Sequence, residues 1–535
     1  MSNPRVAAPV LLAVALFVAL AGCKRAGPAD TGILGTVSGP GGVPAGGLLV
    51  TALAANGIEE TVYTRADGRF HIDGLADGAY QLAVRGGGLR ADTRTVTVQK
   101  GKAAPLEVVA SEDERFLETL PSAHWLALLP DGDMKQEFIL NCTSCHEIGY
   151  GRIFKDGQPR DTARWLEAIK MMRAIDVYKL TPPDFDDEAY AAWLAEHLSP
   201  ERIATLRPAP APDPAMVAGL RITEYPVPEP DELPHDLVVG PDGRIWVTAF
   251  WHGKMWALSP ASGEIESFEV NEVAGAIAQV RALEFDRNGI LWMINGGTSS
   301  VVSLDPKTRA IRTYPVGMYA HDIDLDSKGN VWFNDYFAVK ERIGTLDVTS
   351  GQVTHFDLPS ANLPESAGVP LPYGMQIDAE DRLWSTQMAA NTLALYDIRS
   401  GRTALFQMPN PNSGPRRTAV SADGGLWIPE FNTGRLLRFD PSTETFEQFD
   451  TGNRSLGPYD VEFNSKTGDI WITGSLNSSM LRFDPAAKTF SEYPLPTEPA
   501  YNRHIAVDPA NGDVWIAYSS LPTAVPKVAR LRFSR

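Results

Sequence analysis

The stretch Asp242-Gly243-Arg244-Ile245-Trp246, a turn running straight into a hydrophobic residue and a tryptophan, decides the fold because the chain repeats it. Equivalent tryptophans follow at Trp292, Trp332, Trp384, Trp427, Trp471 and Trp515, at intervals of 40 to 52 residues, most of them 43 to 46. That is the period of a four-stranded propeller blade, so seven tryptophans imply seven blades across residues 220–535. After the last tryptophan the chain has only one more strand, Ala529 to Phe533, and the final blade is short of its outer strand. Ile222-Thr223-Glu224-Tyr225-Pro226-Val227 has the pattern of the outer strands elsewhere, such as Phe490-Ser491-Glu492-Tyr493-Pro494-Leu495-Pro496, and is expected to close the ring as a clasp.

Aligning the blades on their tryptophans puts one residue of each innermost strand at the axial mouth. These are His235, Arg281, His321, Tyr373, Arg416, Tyr459 and Arg503, with His504 beside the last. A second ring, three residues after each tryptophan, reads Ala249, Asn295, Asp335, Gln387, Glu430, Gly474 and Tyr518. Polar groups flanked by apolar strand residues are costly to bury unless hydrogen-bonded. A water-filled channel accounts for them, and so does a ligand site. Three arginines and two histidines in an otherwise acidic protein suit an anionic small molecule such as a carboxylate. Asp335 and Glu430 are expected to pair with the arginines or to hold a divalent cation. His235, His321 and His504 are the candidate acid–base residues.

The motifs Pro234-His235-Asp236-Leu237 and Asp242-Gly243-Arg244-Ile245-Trp246, with the Glu-Tyr-Pro strands, resemble the streptogramin (virginiamycin B) lyase family over residues 220–535. The resemblance implies the propeller fold. For a C–O lyase it also implies a divalent metal that holds the substrate, and acid–base histidines on the last two blades. Tyr459 and Arg503 stand at those histidine positions, His504 is displaced by one residue, and Tyr518 stands where a glutamate is expected. Arginine stays protonated and is a poor general base, so these residues do not carry the lyase chemistry over.

The chain has three cysteines, too few for a disulfide scaffold. Two of them form Cys142-Thr143-Ser144-Cys145-His146, the C-x-x-C-H pattern of covalent haem c attachment. Thiols three residues apart reach the two vinyl groups of one porphyrin, and the next side chain meets the iron. A redox pair or a zinc site is the bland alternative, but there is no second cysteine pair for zinc. Helices are expected at Met134 to Asn141, at Thr162 to Val177 with Trp165, Ile169 and Met172 on one face, and at Asp184 to Leu198. A helix before the motif and a methionine-bearing segment after it resemble a small class I cytochrome c over residues 118–204. That resemblance makes His146 the proximal iron ligand and Met172 the distal one, with Met171 and His197 as rivals. Either methionine also suits plain core packing.

The third cysteine ends residues 1–22, which read as a lipoprotein signal peptide. Arg5 precedes an uncharged apolar run, Val10 to Leu20, too short to span a membrane. Leu20-Ala21-Gly22-Cys23 looks like a bacterial lipobox, with Cys23 taking the lipid. Lys24, where an aspartate is absent, points to the outer membrane or cell surface, facing the periplasm. Residues 31–110 read as short strands, and Thr64-Arg65-Ala66-Asp67-Gly68-Arg69-Phe70 with Gly74-Leu75-Ala76-Asp77-Gly78-Ala79-Tyr80 resembles the carboxypeptidase regulatory-like domain, a small β-sandwich. It is expected to be a spacer or sugar-binding module, with His71 exposed. A Pro/Ala segment, residues 205–219, is expected to be a semi-stiff linker.

The expected fold class is therefore multidomain and mainly β: a small β-sandwich, a small α-helical cytochrome c, and a seven-bladed β-propeller. The net charge of −18 argues against nucleic acid as a partner. No second apolar run is long enough to cross a membrane, leaving the lipid as the only anchor. Three functions remain: electron transfer between the haem, a periplasmic redox partner and a substrate in the propeller; non-catalytic sensing or binding; and a lyase or hydrolase with the haem incidental.

Overall fold

A computed structural model describes the chain except for residues 1–30, 144–145, 175–184, 271–277, 338–341, 360–370, 521–523 and 534–535. Cys23 and Cys145 lie outside the described residues. Among the described residues no helix is long and apolar enough to cross a membrane.

The N-terminal sandwich comprises β1 (Ile33–Ser38), β2 (Leu49–Ala54), β3 (Glu59–Tyr63), β4 (Arg69–Ile72), β5 (Gly78–Gly86), β6 (Leu89–Val98), β7 (Leu106–Val109) and β8 (Ser111–Glu112). One sheet has the order β4-β1-β7 and the other contains β3-β2-β5-β6-β8. Their facing sides bury Ile33, Val50, Phe70, Leu82, Val96 and Val108. The Asp67-Gly68 turn shows why the motif is needed. Asp67 Oδ1 accepts the Arg69 amide at 3.1 Å, and Gly68 sits at φ +77° with its Cα so close to the Val37 carbonyl that a Cβ would fall 2.3 Å from the oxygen.

A helical unit follows: α1 (Ser122–Leu126), α2 (Asp133–Cys142), α3 (Tyr150–Ile153), a short ribbon of β9 (Phe154–Lys155) and β10 (Gln158–Pro159), α4 (Thr162–Ala174), α5 (Asp187–His197) and α6 (Pro200–Ile203). Asp161 and Asp186 cap α4 and α5 by accepting the amides of Arg164 and Ala189, each at 2.9 Å. The unit buries Trp125, Phe138, Trp165 and Leu194, and this core runs without a break into Tyr336, Tyr373, Phe431, Tyr459 and Tyr501 of the propeller. The helices are therefore seated on the ring and share its core.

Six antiparallel four-stranded blades run from Pro234–Val239 to Thr489–Pro494. In blades two, three and four the repeated turn holds its tryptophan directly. Asp286, Asp326 and Asp378 accept the backbone amides of Ile290, Asn330 and Arg382, and also the indole N–H groups of Trp292, Trp332 and Trp384 at 3.3, 3.0 and 2.9 Å.

The seventh blade contains Asn502–Val507, Val514–Ser520 and Ala524–Phe533, and its fourth strand is β11 (Leu220–Pro226), as the clasp reading expects. β11 pairs antiparallel with Lys527 to Phe533 on one edge and with β3 on the other, Arg221 opposite Val62. Blade seven and the larger sandwich sheet are thus one nine-stranded sheet. Buried Glu224 accepts hydrogen bonds from Tyr518 and from Thr497 Oγ1, and pairs with Lys527, which also binds Glu59 at 2.7 Å. Burial and the nearby Glu224 charge push Glu59 up to about 7.

The spacer and linker expectations change accordingly. The sandwich is welded edge to edge to the propeller. Residues 205–219 lie packed along it, with Pro208 against Gly88 and Ala211 against Gly87. His71 is partly buried, its Nε2 2.6 Å from the Thr31 carbonyl.

Arg221 binds Glu60 at 2.6 Å and Asp73 at 2.7 Å across the β11–β3 junction. Arg221→Ala should destabilise the chain by about 2 kcal/mol, the worth of charge-assisted hydrogen bonds left unmade. Urea unfolding followed by fluorescence would show it, and an unchanged midpoint would mean the weld does not depend on this residue.

Candidate functional site

Six of the seven innermost strands begin with a bulge or an irregular pair. Register shifts fall between Pro234 and Leu237, Arg281 and Leu283, Ala320 and Ile323, Pro372 and Met375, Pro458 and Val461, and Asn502 and Ile505. A bulge breaks strand alternation, so consecutive residues reach the axial side. The expected ring is buried, and a second polar ring one residue further on joins it: Asp236, Asp322, Arg417 and Asp460, all buried, with the half-buried His504. Side chains two residues after the tryptophans hold the bulges open. Thr248 and Thr473 accept the amides of Asp236 and Asp460 at 2.9 Å, Thr386 accepts that of Gly374 at 2.9 Å, and Asn334 accepts those of His321 and Asp322 at 3.0 and 2.9 Å.

Arg417 crosses the axis from blade five. It binds Asp236 of blade one and, at 3.2 Å, Asp322 of blade three. The same aspartates staple neighbouring blades: Asp236 accepts the Ala282 amide at 3.1 Å, Asp322 that of Met375 at 3.0 Å, and Asp460 that of Ile505 at 2.8 Å. Burial opposes the charge on Asp236, but Arg417 and His235 hold it well below the usual carboxylate range. Burial outweighs Arg417 at Asp322 and Asp460, which rise to about 6 and about 7.

His235 Nδ1 donates to Asp236 Oδ2 at 2.6 Å, and its ring stacks on Phe250. This is the arrangement by which a carboxylate fixes the tautomer of a histidine base. His321 Nδ1 donates to the Tyr373 carbonyl at 3.0 Å, and His504 Nε2 stands 3.9 Å from Asp236 and 4.0 Å from Asp460. Burial pushes His235 down to about 4 and His504 to about 3, and His321 well below its usual value, so all three are neutral imidazoles near pH 7. Arg281 is buried between Phe250 and Tyr319, and its guanidinium meets the neutral oxygens of Gln279 and Tyr319. Among the described residues no carboxylate forms an ion pair with it. Arg416 lies over Phe431 at 4.3 Å, beside Tyr373 and Tyr459, whose hydroxyls bond to each other.

The second ring expected from sequence belongs elsewhere. Asp335 binds Arg342, and Glu430 accepts from Asn410 and Thr433 at 2.7 Å each. Asn295 caps the turn after its own strand through the Thr298 amide, and Tyr518 is part of the clasp network with Glu224. Asn295, Asp335 and Glu430 end the second strands of their blades, and each bonds to the turn or strand that follows. Asp335 and Glu430 therefore do not answer the ring arginines in the way expected. Among the described residues no three His, Cys, Asp or Glu side chains converge to hold a metal ion, so the divalent cation gains no donor set.

The helical unit packs on this end of the propeller, and its contact includes Thr143 of the C-x-x-C-H motif. Tyr501 donates to the Thr143 carbonyl at 2.8 Å, and the Ala123 amide donates to the Leu476 carbonyl at 2.7 Å. His146 Nδ1 donates to the Glu147 carbonyl at 2.7 Å, which directs Nε2 to serve as a lone-pair donor. Burial, with the Arg152 and Arg503 cations, pushes His146 down to about 4 and keeps it neutral. A neutral, tautomer-fixed imidazole fits the proximal position of a haem. Met171 and Met172 are 57% and 38% exposed on α4, away from the buried core of the unit. His197 Nδ1 is buried with no hydrogen-bond partner among the described residues, and its ring abuts Trp193.

Seven blades with their polar residues gathered at the starts of the innermost strands define a propeller protein of the streptogramin lyase type. The chain belongs to the virginiamycin B lyase family, whose model matches residues 220–526, and residues 32–111 match the carboxypeptidase regulatory-like domain. A streptogramin B lyase structure is 23% identical, with a TM-score of 0.52, and the match covers 59% of this chain and 98% of that one. Virginiamycin B lyase from Staphylococcus aureus is 20% identical with the same TM-score, over 59% of this chain and all of that one. A catalytically inactive variant of that enzyme, with quinupristin, matches equally. At these identities the likeness is one of fold. No curated protein is significantly similar to the chain.

Three residues beyond the ring on the innermost strands of blades two and six, burial and neighbouring carboxylates push Glu284 and Glu462 up to about 8. The native state then keeps protons that the unfolded chain, with ordinary glutamate values near 4.3, has already released. Between roughly pH 4 and pH 8 these two groups make stability fall as pH rises. The double variant Glu284→Gln, Glu462→Gln should match the parent near pH 4 and melt higher than it at pH 8. Parallel melting curves at both pH values would contradict the assignment.

Proposed function

We propose that this chain is an exported haem c lipoprotein for electron transfer, whose helical unit is a cytochrome c-like domain carrying haem over the mouth of the propeller. The observation that carries the reading is the Thr143 carbonyl, inside the C-x-x-C-H motif, bonded to Tyr501 of blade seven, with His146 neutral and its Nδ1 committed to a backbone carbonyl. Cys142 and Cys145 would hold the haem covalently and His146 would ligate its iron. When bound, haem c supplies reversible one-electron chemistry. Met172 is the sulfur donor in this reading, with Met171 and His197 as the rivals. The ring beneath binds an anionic small molecule, the redox substrate in an oxidoreductase of dehydrogenase type. Arg281, a buried guanidinium bonded to neutral oxygens, is its principal anchor, and His235, oriented by Asp236, is the base available to it. Cys23 anchors the protein by lipid to the outer membrane or cell surface, facing a periplasmic redox partner.

Family membership favours a second reading, a C–O lyase with the haem incidental. Tyr459 at the mouth bonds to Tyr373, and Tyr518 is committed to Glu224 in the clasp, so neither supplies the acid–base pair of that chemistry. A non-catalytic sensor keeps the same ring and the same haem without turnover.

Cys142→Ala with Cys145→Ala should abolish covalent haem in the full chain produced with c-type maturation, and a haem-stained band surviving in that variant would refute the attachment. Met172→Ala should remove any sulfur-to-iron absorption band and lower the potential. An unchanged spectrum would assign the distal position to Met171 or His197.

Optical spectra of the oxidised protein with a panel of small anionic and phenolic compounds test the propeller's part. Catalytic reduction by one of them, lost in Arg281→Gln, is the expected result. Reduction by none would favour the sensor.

A further inference from the structure

The register of the weld places Glu224 of β11 directly opposite Glu59 of β3, so two carboxyl groups face each other where the sandwich joins the ring. Like charges in that position repel. Lys527, opposite Pro226 on the other edge of β11, answers both, reaching Glu59 at 2.7 Å and Glu224 at 3.3 Å. Glu224 is fully buried, and Tyr518 and Thr497 Oγ1 both donate to its Oε1. Glu59 lies further out, its side chain 21% exposed, and is the carboxyl of the pair that water reaches. The neighbouring titratable and charged groups on this face have their own partners. Arg85 binds Glu498 and the Pro496 carbonyl, and Tyr63 donates to the Pro494 carbonyl. Strand alternation puts Glu60 on the opposite face, where it binds Arg221 and Thr223.

We propose that the weld is a pH-sensitive latch, in which Glu59 and Glu224 share one proton beside the Lys527 ammonium and the sandwich loosens from the ring once that proton leaves. With the proton in place Glu59 donates to Glu224, and the cluster of Glu59, Glu224 and Lys527 carries no net charge. Without it, two carboxylates face one ammonium away from bulk water, where their repulsion is poorly screened. Burial and the Glu224 charge hold Glu59 at about 7, which puts the change near neutrality. Burial opposes the charge on Glu224, but Lys527 and Tyr518 keep it below its ordinary value, so it stays ionised throughout. The sign follows from Glu59. Its value in the closed weld lies above the ordinary one of about 4.3, so the stabilisation is complete below that pH and is lost as pH rises through about 7. Because β11 also closes the propeller, the latch ties the support of the ring's closing strand to pH.

Hydrogen exchange of the full chain at pH 6 and pH 8, corrected for the intrinsic rates and read by mass spectrometry, tests this. Peptides covering Glu59–Tyr63 should lose about tenfold in protection between the two values. Those covering Arg382–Gln387 of blade four should change less and serve as the internal reference. Glu59→Gln, whose amide donates to Glu224 at either pH, should abolish the excess loss in β3. Glu59→Ala, which removes the titrating group, serves if that variant fails to fold, and should abolish it too. Protection in β3 that follows the reference at both pH values in the parent would overturn the latch. So would an excess loss that persists in the Glu59 variant used.

Discussion

A ring of blades closes only when its first and last segments share a sheet, and here that depends on one strand, β11. Its backbone pairs along both edges, with Ala524–Phe533 inside blade seven and with β3 of the sandwich outside it. A strand at the rim of a propeller would otherwise leave a row of unpaired amides and carbonyls facing solvent, a template for aggregation. The sandwich covers that edge. The buried Glu224 then ties the closure together, because Tyr518 and Lys527 come from blade seven, Thr497 from the segment before it, and Glu59 from the sandwich. The small N-terminal domain is thus a structural part of the ring.

Closure fixes the axis, and the axis is held by charge. Arg417 reaches two blades that are not its neighbours in sequence, while the aspartates it binds also accept amides from the next blade round. Removing one partner of a buried ion pair typically costs about 3–5 kcal/mol, so such a centre resists rearrangement. The mouth above it is therefore a firm seat, and the helical unit rests on it through a shared apolar core and the Tyr501 and Ala123 hydrogen bonds. The linker packs along the sandwich. The position of Thr143, in the C-x-x-C-H motif, follows from these contacts. The chain's three parts act as one body built around the ring axis.

Much of this was legible in the sequence because the relevant signals are periodic or local. The tryptophan spacing gives the blades because each repeat must rebuild the same turn, with Asp286, Asp326 and Asp378 holding both backbone and indole. The clasp was legible in the likeness of residues 222–227 to the other outer strands. The second axial ring was missed because strand alternation assigns only one of two consecutive residues to the axis, and the bulges overrule it. Adjacent polar pairs such as His235-Asp236, His321-Asp322 and Arg416-Arg417 were the available signal, since an ordinary half-buried strand alternates and has no use for two consecutive polar side chains. Asp335 and Glu430 were assigned to the axis by counting from the tryptophans, but the second strand ends at that point and its last side chain serves the turn. Edge pairing between β3 and β11 had no sequence signal, because backbone hydrogen bonds between distant segments leave no motif. The packing of residues 205–219 was hidden for the same reason, as it depends on glycines more than a hundred residues away.

The measurement that tests the central claim most directly is the intact mass of the full chain, taken after denaturation from a host that matures c-type cytochromes, together with its reduced absorption spectrum. The account predicts a mass increased by one haem, with both Cys142 and Cys145 blocked to alkylation and the absorption bands of haem c. An unmodified mass, with both thiols free to alkylate or joined as a disulfide, would contradict it and leave the propeller's family resemblance as the guide to function.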